Sequence, residues 1–387
     1  MRETKQLDVA IDIINNYAPD QPFASYLNQF FRKNKQMGSS DRRLYAELCY
    51  AAFRTGKAIP SSSIREKICI GYFLINTVPS LFFEAIAAEL NSQIEKSIEE
   101  KIEIVNLRYP EFNVEKIYSF KAKFSEGVNA KIFSISHLIK PLVFLRVNEK
   151  NSKRLLKRFD EENISYQSIS KTTISVEPAT QLQQFSAEGI HFEIQDLSSQ
   201  YVSTFFEPKP NERWWDCCAG SGGKTLLINS MEPLLKLLVS DMRATILENL
   251  KERFLLAGIT KYQLKEIDLA KNFDAQLPGY EFDGIILDAP CSGSGTWGRT
   301  PELLTYFDEE KLKLYTSLQY TFAKNVSKYL LKGKPLIYIT CSVFKQENED
   351  MVEKIARDFN YTIERSELIK GYDKRADSMF AARLIKN

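Results

Sequence analysis

The sequence predicts an α/β protein whose C-terminal half folds as a mostly parallel, doubly wound sheet, preceded by a small α+β layer and an all-helical N-terminal region. Three textures along the chain carry that expectation. From about Gly189 on, continuous apolar runs alternate with amphipathic stretches, the pattern of parallel strands covered by helices on both faces. From about Lys140, short strand-like runs are interleaved with helical patterns, and up to Ser136 apolar residues recur at helical spacing. At 387 residues the chain exceeds one ordinary core, and about 150 residues per domain gives two or three domains. The expected division is 1–136, 137–188 and 189–387.

A hydrophobic fraction of 44% with 26% charged residues is that of a globular chain and argues against disorder. Lys+Arg 52 against Asp+Glu 50 leaves a formal charge of +2, so any nucleic-acid surface must be a local patch. "RKNKQMGSSDRR" (32–43) and "KNSKRLLKR" (150–158) are the candidates, although one such stretch alone is more readily a solvated helix face. The six cysteines, Cys49, Cys69, Cys217, Cys218, Cys291 and Cys341, form no small-domain disulfide framework. No secretory leader opens the chain, and no apolar run of about 18 residues could cross a bilayer, so a reducing cytoplasm and no membrane partner are expected. There is no CxxC pair, and His137 and His191 sit far from any cysteine cluster, so no metal site is expected.

Taken in order, "LDVAIDIINNY" places Leu7, Ala10, Ile11 and Ile14 on one helical face, and "FASYLNQFF" repeats the pattern. "SSDRRLYAELCYAAFR" offers Ser40 as a cap ahead of Leu44, Leu48 and Ala52. "LFFEAIAAELNSQIEKSIEEKIEIV" reads as one long helical pattern, and Cys49 and Cys69 fall at apolar, packing positions. Next, "PLVFLRVN", "ISYQSI" and "TTISVE" read as strands, with helices at "SKRLLKRFDEEN" and "TQLQQFSAEG". In the last half the strands are "RWWDCCA", "LLKLLVSD", "YQLKEID", "FDGIILDAP" and "PLIYITCS", and helices include "TILENLKERFLLAG" and "EEKLKLYTSLQYTFAKNVSKYL".

Ligands of doubly wound sheets sit beyond the carboxyl ends of the strands. There "DCCAGSGGKT" (216–225) gives a strand end, a glycine turn and a helix start, where backbone N–H groups can approach a ligand closely. Gly220, Gly223 and Lys224 are too closely spaced for a phosphate loop, and Thr225 takes the last glycine position of a dinucleotide motif. A nucleoside cofactor without a pyrophosphate fits better. Asp241 ends the next strand, close to the roughly 20-residue separation of an acid that accepts ribose hydroxyls. Asp268 and Asp288 end two more; any one of the three could be a helix cap, but three with a glycine turn favour a nucleoside pocket.

These segments resemble the Sun (Fmu) family of S-adenosylmethionine-dependent RNA cytosine-5 methyltransferases. "QDLSSQ" (195–200) is similar to the family's lead-in, "CAGSGGKT" to its first cofactor motif, "DAPCSGSGTWGRTPE" to its fourth, "TCS" to its sixth and "DSMFAARL" to its closing strand. The resemblance covers roughly residues 189–387 and implies a Rossmann-like methyltransferase domain. Residues 1–136 resemble the NusB-like RNA-binding domain of the ribosomal-RNA small-subunit methyltransferase B type, with 137–188 as a small RNA-binding subdomain. By resemblance, Cys218, Ala219, Gly220, Ser221, Gly222, Gly223 and Lys224 line the methionine end of S-adenosylmethionine, Asp241 holds the ribose, Asp268 the adenine edge, and Asp288 borders the pocket. Two departures stand out: the family usually has Ala-Pro at Gly220-Ser221 and two basic residues at Gly298-Arg299.

Carbon 5 of cytosine is a poor nucleophile. A thiolate adding to carbon 6 makes an enamine whose carbon 5 can attack a methyl sulfonium, which divides one hard step into easier ones. Asp288 could hydrogen-bond N3 or share its proton. Cys291 and Cys341 each follow a strand at the reactive edge, and the residues alone leave both open as the nucleophile. The resemblance implies that Cys341 attacks and that Cys291 assists release of the methylated RNA; DNA cytosine methyltransferases attack instead from a Pro-Cys at the place of Pro290-Cys291. The implied partner is RNA with a single-stranded or loop cytosine, ribosomal RNA being favoured and transfer RNA possible, with no obligate protein partner. The rival readings are a DNA cytosine methyltransferase and a non-catalytic RNA-binding assembly factor of the same fold. Cys217, Trp214 and Trp215 are expected to pack; for Trp297 packing is favoured over stacking on a splayed base, and Arg299 and Lys345 are exposed candidates for phosphate contacts, although for either one alone the contact is the less favoured reading.

Overall fold

The structure is a computed structural model that describes residues 2–118 and 120–387. Met1 and Ser119, both inside the helical region expected over 1–136, lie outside the described residues. The chain folds into two compact units: Met1–Lys121 with Asn129–Lys140 and Thr296–Asp308, and Ala122–Val128 with Pro141–Gly295 and Glu309–Asn387.

The first unit is helical, as its periodicity implies. Helices run over Arg2–Asn15, Phe23–Lys33, Ser39–Arg54, Ile64–Ile75, Leu81–Asn91, Ile98–Arg108 and Ala130–Ser136. Leu7, Ala10, Ile13 and Ile14 form the buried face of the first, with Ile13 in place of the expected Ile11. Cys49 is fully buried, whereas Cys69 is only half-buried. Ser40 is not a cap: the helix starts at Ser39, with Gly38 in the cap position and no side-chain cap. The long pattern after Ser80 is two helices rather than one. Ser97 and Glu100 form a reciprocal capping box that starts the second, satisfying N–H groups that a continuous helix would bond internally. Gly71 lets two helices touch, since a Cβ there would meet the Ala51 carbonyl oxygen at 2.0 Å. Buried Arg54 donates to the His137 and Gly298 carbonyls at 2.7 and 2.6 Å, tying the 296–308 segment to the bundle.

The second unit holds two sheets. β1 (Val143–Arg146), β2 (Tyr166–Ser168), β3 (Thr173–Val176) and β4 (Glu193–Ile194) form an antiparallel sheet in the order β2-β3-β1-β4. Helix Glu149–Glu161 covers it through Leu155 and Phe159, which pack with Leu145 and Ile174. β4 lies beyond residue 188, the expected end of this layer. Within the basic stretch 150–158, Arg158 is already paired with Glu161, Glu162 and Glu188.

The larger sheet contains β5 (Arg213–Asp216), β6 (Lys236–Asp241), β7 (Tyr262–Glu266), β8 (Gly284–Asp288), β9 (Pro335–Thr340), β10 (Tyr361–Ile369) and β11 (Met379–Lys386). Its order is β10-β11-β9-β8-β5-β6-β7. β5 to β9 pair in parallel, and β11 is inserted antiparallel between β9 and β10. The order reverses between β5 and β8, the switch point at which such sheets take ligands. Alternation sends Trp215, Leu238 and Leu287 to one face, under Phe322, Val326 and Ile355, and Trp214, Val239 and Ile286 to the other, under Leu226, Leu250 and Phe254. Among the described residues no helix is long and apolar enough to cross a membrane.

Gly284 in β8 stands opposite Trp214 of β5, and a Cβ on it would lie 2.5 Å from the indole ring. Trp214 is fully buried and its ring N–H is held by Glu212 at 3.0 Å, so the ring has little room to move. Gly284→Ala is expected to destabilise this unit by about 1–3 kcal/mol through overpacking. A thermal melt followed by circular dichroism checks it, and an unchanged midpoint would show that the indole yields freely.

Candidate active site

Parallel pairing aligns the carboxyl ends of β5, β6, β8 and β9 along one edge. At the end of β5, the buried Asp216 accepts a 2.6 Å hydrogen bond from Thr225 Oγ1, which fastens the strand to the first turn of helix Gly223–Met231. Burial pushes Asp216 up to about 7, with the Thr225 bond working against it. Between them the chain turns through Gly220 (φ 53°) and Gly222 (φ 84°), left-handed conformations that glycine adopts without strain. Gly222 also abuts Phe254, which a Cβ would approach to 2.6 Å, while a Cβ at Gly220 would meet open space.

Asp241, at the end of β6, accepts from the Gly220 N–H at 3.0 Å and is gripped by Arg243 through its backbone N–H, Nε and a terminal nitrogen at 2.9–3.0 Å. Burial alone would raise this acid, but the Arg243 bonds outweigh it and hold it below the usual carboxylate range. Lys224, one residue into the helix, extends to Asp288 at the end of β8, Nζ to Oδ2 2.9 Å. Burial opposes the ammonium, yet Asp288, and after it Cys341, leave Lys224 above its ordinary value. Asp288 Oδ1 makes no hydrogen bond among the described residues, and the side chain is 29% exposed. Asp268 stands apart. Lys271 at 3.0 Å and the Ala270 N–H take its carboxylate, and it touches none of the other candidates.

Asp288 lies opposite Ile339 in the β8–β9 pairing, so the two cysteine loops leave the sheet side by side. Cys291 Sγ and Cys341 Sγ are 3.4 Å apart, both thiols free and half-buried. The bond to Cys341, then burial, pushes the Cys291 thiol well above its ordinary value. Gly295 donates to the Cys341 carbonyl and accepts from the Ser378 N–H, each at 2.9 Å, and a Cβ on it would meet the Ser378 carbonyl at 1.9 Å. Beneath the thiols lies a polar group absent from the sequence expectation. The buried Glu347 carboxylate accepts from the Ser292 N–H and hydroxyl, the Ser342 hydroxyl and Gln319. Its signal in the sequence is the pair of serines following each cysteine in otherwise apolar strand ends.

Cys217, Trp214 and Trp215 are buried, as expected. Trp297 is fully buried against Phe307, at 5.1 Å between ring centres, which rules out stacking on a base in this conformation. Arg299 and Lys345 are half-buried rather than exposed, and Lys345 faces Glu126 at 3.9 Å. Two clefts of about 730 and 700 Å³ open elsewhere, the first at the opposite, amino ends of β5 to β7 along Arg213, Lys236 and Tyr262. Neither includes a candidate residue.

Residues 203–382 match the family model described as 16S rRNA methyltransferase RsmB/F. The chain is 33% identical over 162 residues to the ribosomal RNA small subunit methyltransferase B of Shewanella oneidensis, an alignment covering 41% of this chain and 37% of that protein. It thus spans about two fifths of that relative's length. Its fold is similar to that of PH0851, with a TM-score of 0.70 and 19% identity over 99% of this chain and 98% of the other. NSun6 from Pyrococcus horikoshii with SFG aligns at a TM-score of 0.57 and 17% identity, covering 66% of this chain and 95% of that one. Residues 203–382, somewhat under half of the chain, are therefore similar to the RsmB/F methyltransferase family.

Proposed function

We propose that this protein transfers a methyl group from S-adenosylmethionine to carbon 5 of a cytosine in RNA, ribosomal RNA being the favoured substrate. The observation that carries the reading is the pair of free thiols 3.4 Å apart on the loops that follow two neighbouring parallel strands. The name of the Shewanella relative and the SFG, an analogue of S-adenosylmethionine, with the Pyrococcus protein support the same direction.

The glycine turn fits such a donor. Gly220 leaves open space at a helix start, where backbone N–H groups favour a carboxylate. Cys218 through Lys224 would hold the methionine end, Asp241 the ribose hydroxyls in exchange for Arg243, and Asp268 the adenine edge. Bound S-adenosylmethionine supplies an electrophilic methyl carbon.

The rest is the work of this chain's own residues. Cys341 adds to carbon 6 of the base as its thiol proton passes through Asp288 Oδ1 to N3, where negative charge would otherwise build up, while Oδ2 stays on Lys224. The buried ammonium offsets negative charge that builds up beside it. Once Cys341 sulfur is bonded to carbon, its bond to Cys291 is gone, and with it the leading cause of the raised Cys291 value. Cys291 can then give its proton to solvent, and the resulting thiolate accepts the one leaving carbon 5. Departure of the Cys341 thiolate restores the aromatic ring. The base has to leave its stack to meet the sulfur, which favours single-stranded or loop RNA.

Cys341→Ala is expected to abolish methyl transfer, and Cys291→Ala to accumulate a covalent protein–RNA adduct, read on a denaturing gel with labelled RNA. Adduct in the Cys341 variant, or none with Cys291→Ala during turnover, would overturn the assignment. RNA affinity is expected to fall steeply with salt as counterions are released; a flat response in filter binding would argue against a phosphate-gripping surface. Bisulfite sequencing of RNA from cells lacking the protein separates ribosomal from transfer RNA by the mark that disappears.

A further inference from the structure

Behind the two sulfurs the chain buries a carboxylate that no step above uses. Glu347 is fully inaccessible, yet four donors converge on it. Oε1 accepts from the Ser292 N–H at 2.8 Å and Gln319 Nε2 at 3.1 Å, while Oε2 accepts from the Ser292 and Ser342 hydroxyls, each at 2.5 Å. Ser292 directly follows Cys291, and Ser342 directly follows Cys341. One side chain therefore holds the residue after each thiol. Gln319 also donates to the Pro290 carbonyl at 3.0 Å, so the residue before Cys291 is bound into the same group. Ser294 joins it, accepting from the Val343 N–H at 2.9 Å and lying 3.2 Å from Ser342 Oγ. The next residue, Asn348, anchors the second loop from below through Thr340 and the Ser342 carbonyl, at 2.5 and 2.9 Å.

Such a group is expensive to bury and has a function that apolar packing cannot perform. Hydrocarbon would fill the space without fixing the distance between two irregular loops, whereas a carboxylate with every acceptor site taken fixes direction as well as length. We infer that Glu347 is a positioning residue that sets the spacing of the Cys291 and Cys341 thiols by clamping the serine that follows each. The inference rests on the reading of those thiols as the reacting groups, although the clamp itself stands on geometry alone.

Glu347→Gln keeps the shape but removes the negative charge, so the charge-assisted bonds that hold the two loops become ordinary ones about half as strong. Two measurements on the full chain test it. Turnover should lose about tenfold or more in kcat while KM for RNA and for S-adenosylmethionine stays within about twofold, the split expected when reacting groups are misplaced but binding surfaces are intact. The rate at which diamide, itself reduced to the hydrazine, oxidises the pair to a Cys291–Cys341 disulfide, mapped by peptide mass spectrometry, should fall by a similar factor. A folded Glu347→Gln protein that retains either rate within about twofold overturns the inference. If that variant does not fold, Ser342→Ala decides on the same two rates, with a smaller loss expected and an unchanged pair of rates counting against the clamp. Should the wild-type protein methylate no RNA, the proposed reaction fails while the oxidation rate still decides the clamp.

Discussion

Parallel pairing of β8 with β9 is the constraint from which the site follows. The two strands are neighbours at hydrogen-bonding distance and point the same way, so whatever follows each must emerge at the same edge. Asp288 closes one strand and Cys341 follows the other, 53 residues later by number, yet the loops they open share hydrogen bonds from Ala289 to Ile339 and from Gly295 to Cys341. β5, on the other side of β8, brings in the glycine turn, and Lys224 reaches across it to Asp288. A shift of one residue in either pairing would turn the strand-end side chains to the opposite face and separate acid from thiol.

The charges at this edge are held in balance by burial. Lys224 and Asp288 form a pair with little water around the ammonium, and Asp216 beside them is driven toward neutrality. A buried unpaired charge is costly, so each acid here has a cation, a hydroxyl or a backbone N–H assigned to it. Asp288 and Asp216 each engage one oxygen only, Asp288 on Lys224 and Asp216 on Thr225; the second oxygen of Asp216 is buried without a partner among the described residues, while the Asp288 side chain is 29% exposed.

The inner strands of the parallel sheet were legible in the sequence because a strand buried on both faces must be apolar throughout, and because β5, β6 and β8 each stop at an acid. β10 was not: "YTIERSELI" alternates with charged residues, and its exposed positions look like a loop or helix face until β11 is seen beside it. The second break missed was the one before Ser97, where a capping box hides inside a continuous helical pattern. At the site, motif order pointed to the cysteine and aspartate positions. Glu347 and its serines escaped because the bonds that join Ser292 to it span 55 residues, and the serine after each cysteine is too slight a local trace to reveal them. Lys224 sits in the glycine turn by sequence but reaches Asp288, at the end of another strand, in space.

Arg243 on Asp241 has a consequence for how tightly any sugar can be held. The carboxylate already accepts three hydrogen bonds from that residue and one from Gly220. An incoming diol must therefore evict a guanidinium, and the net gain is the difference between two sets of bonds rather than the full strength of one. The evicted side chain, 58% exposed already, would swing into solvent carrying a full positive charge.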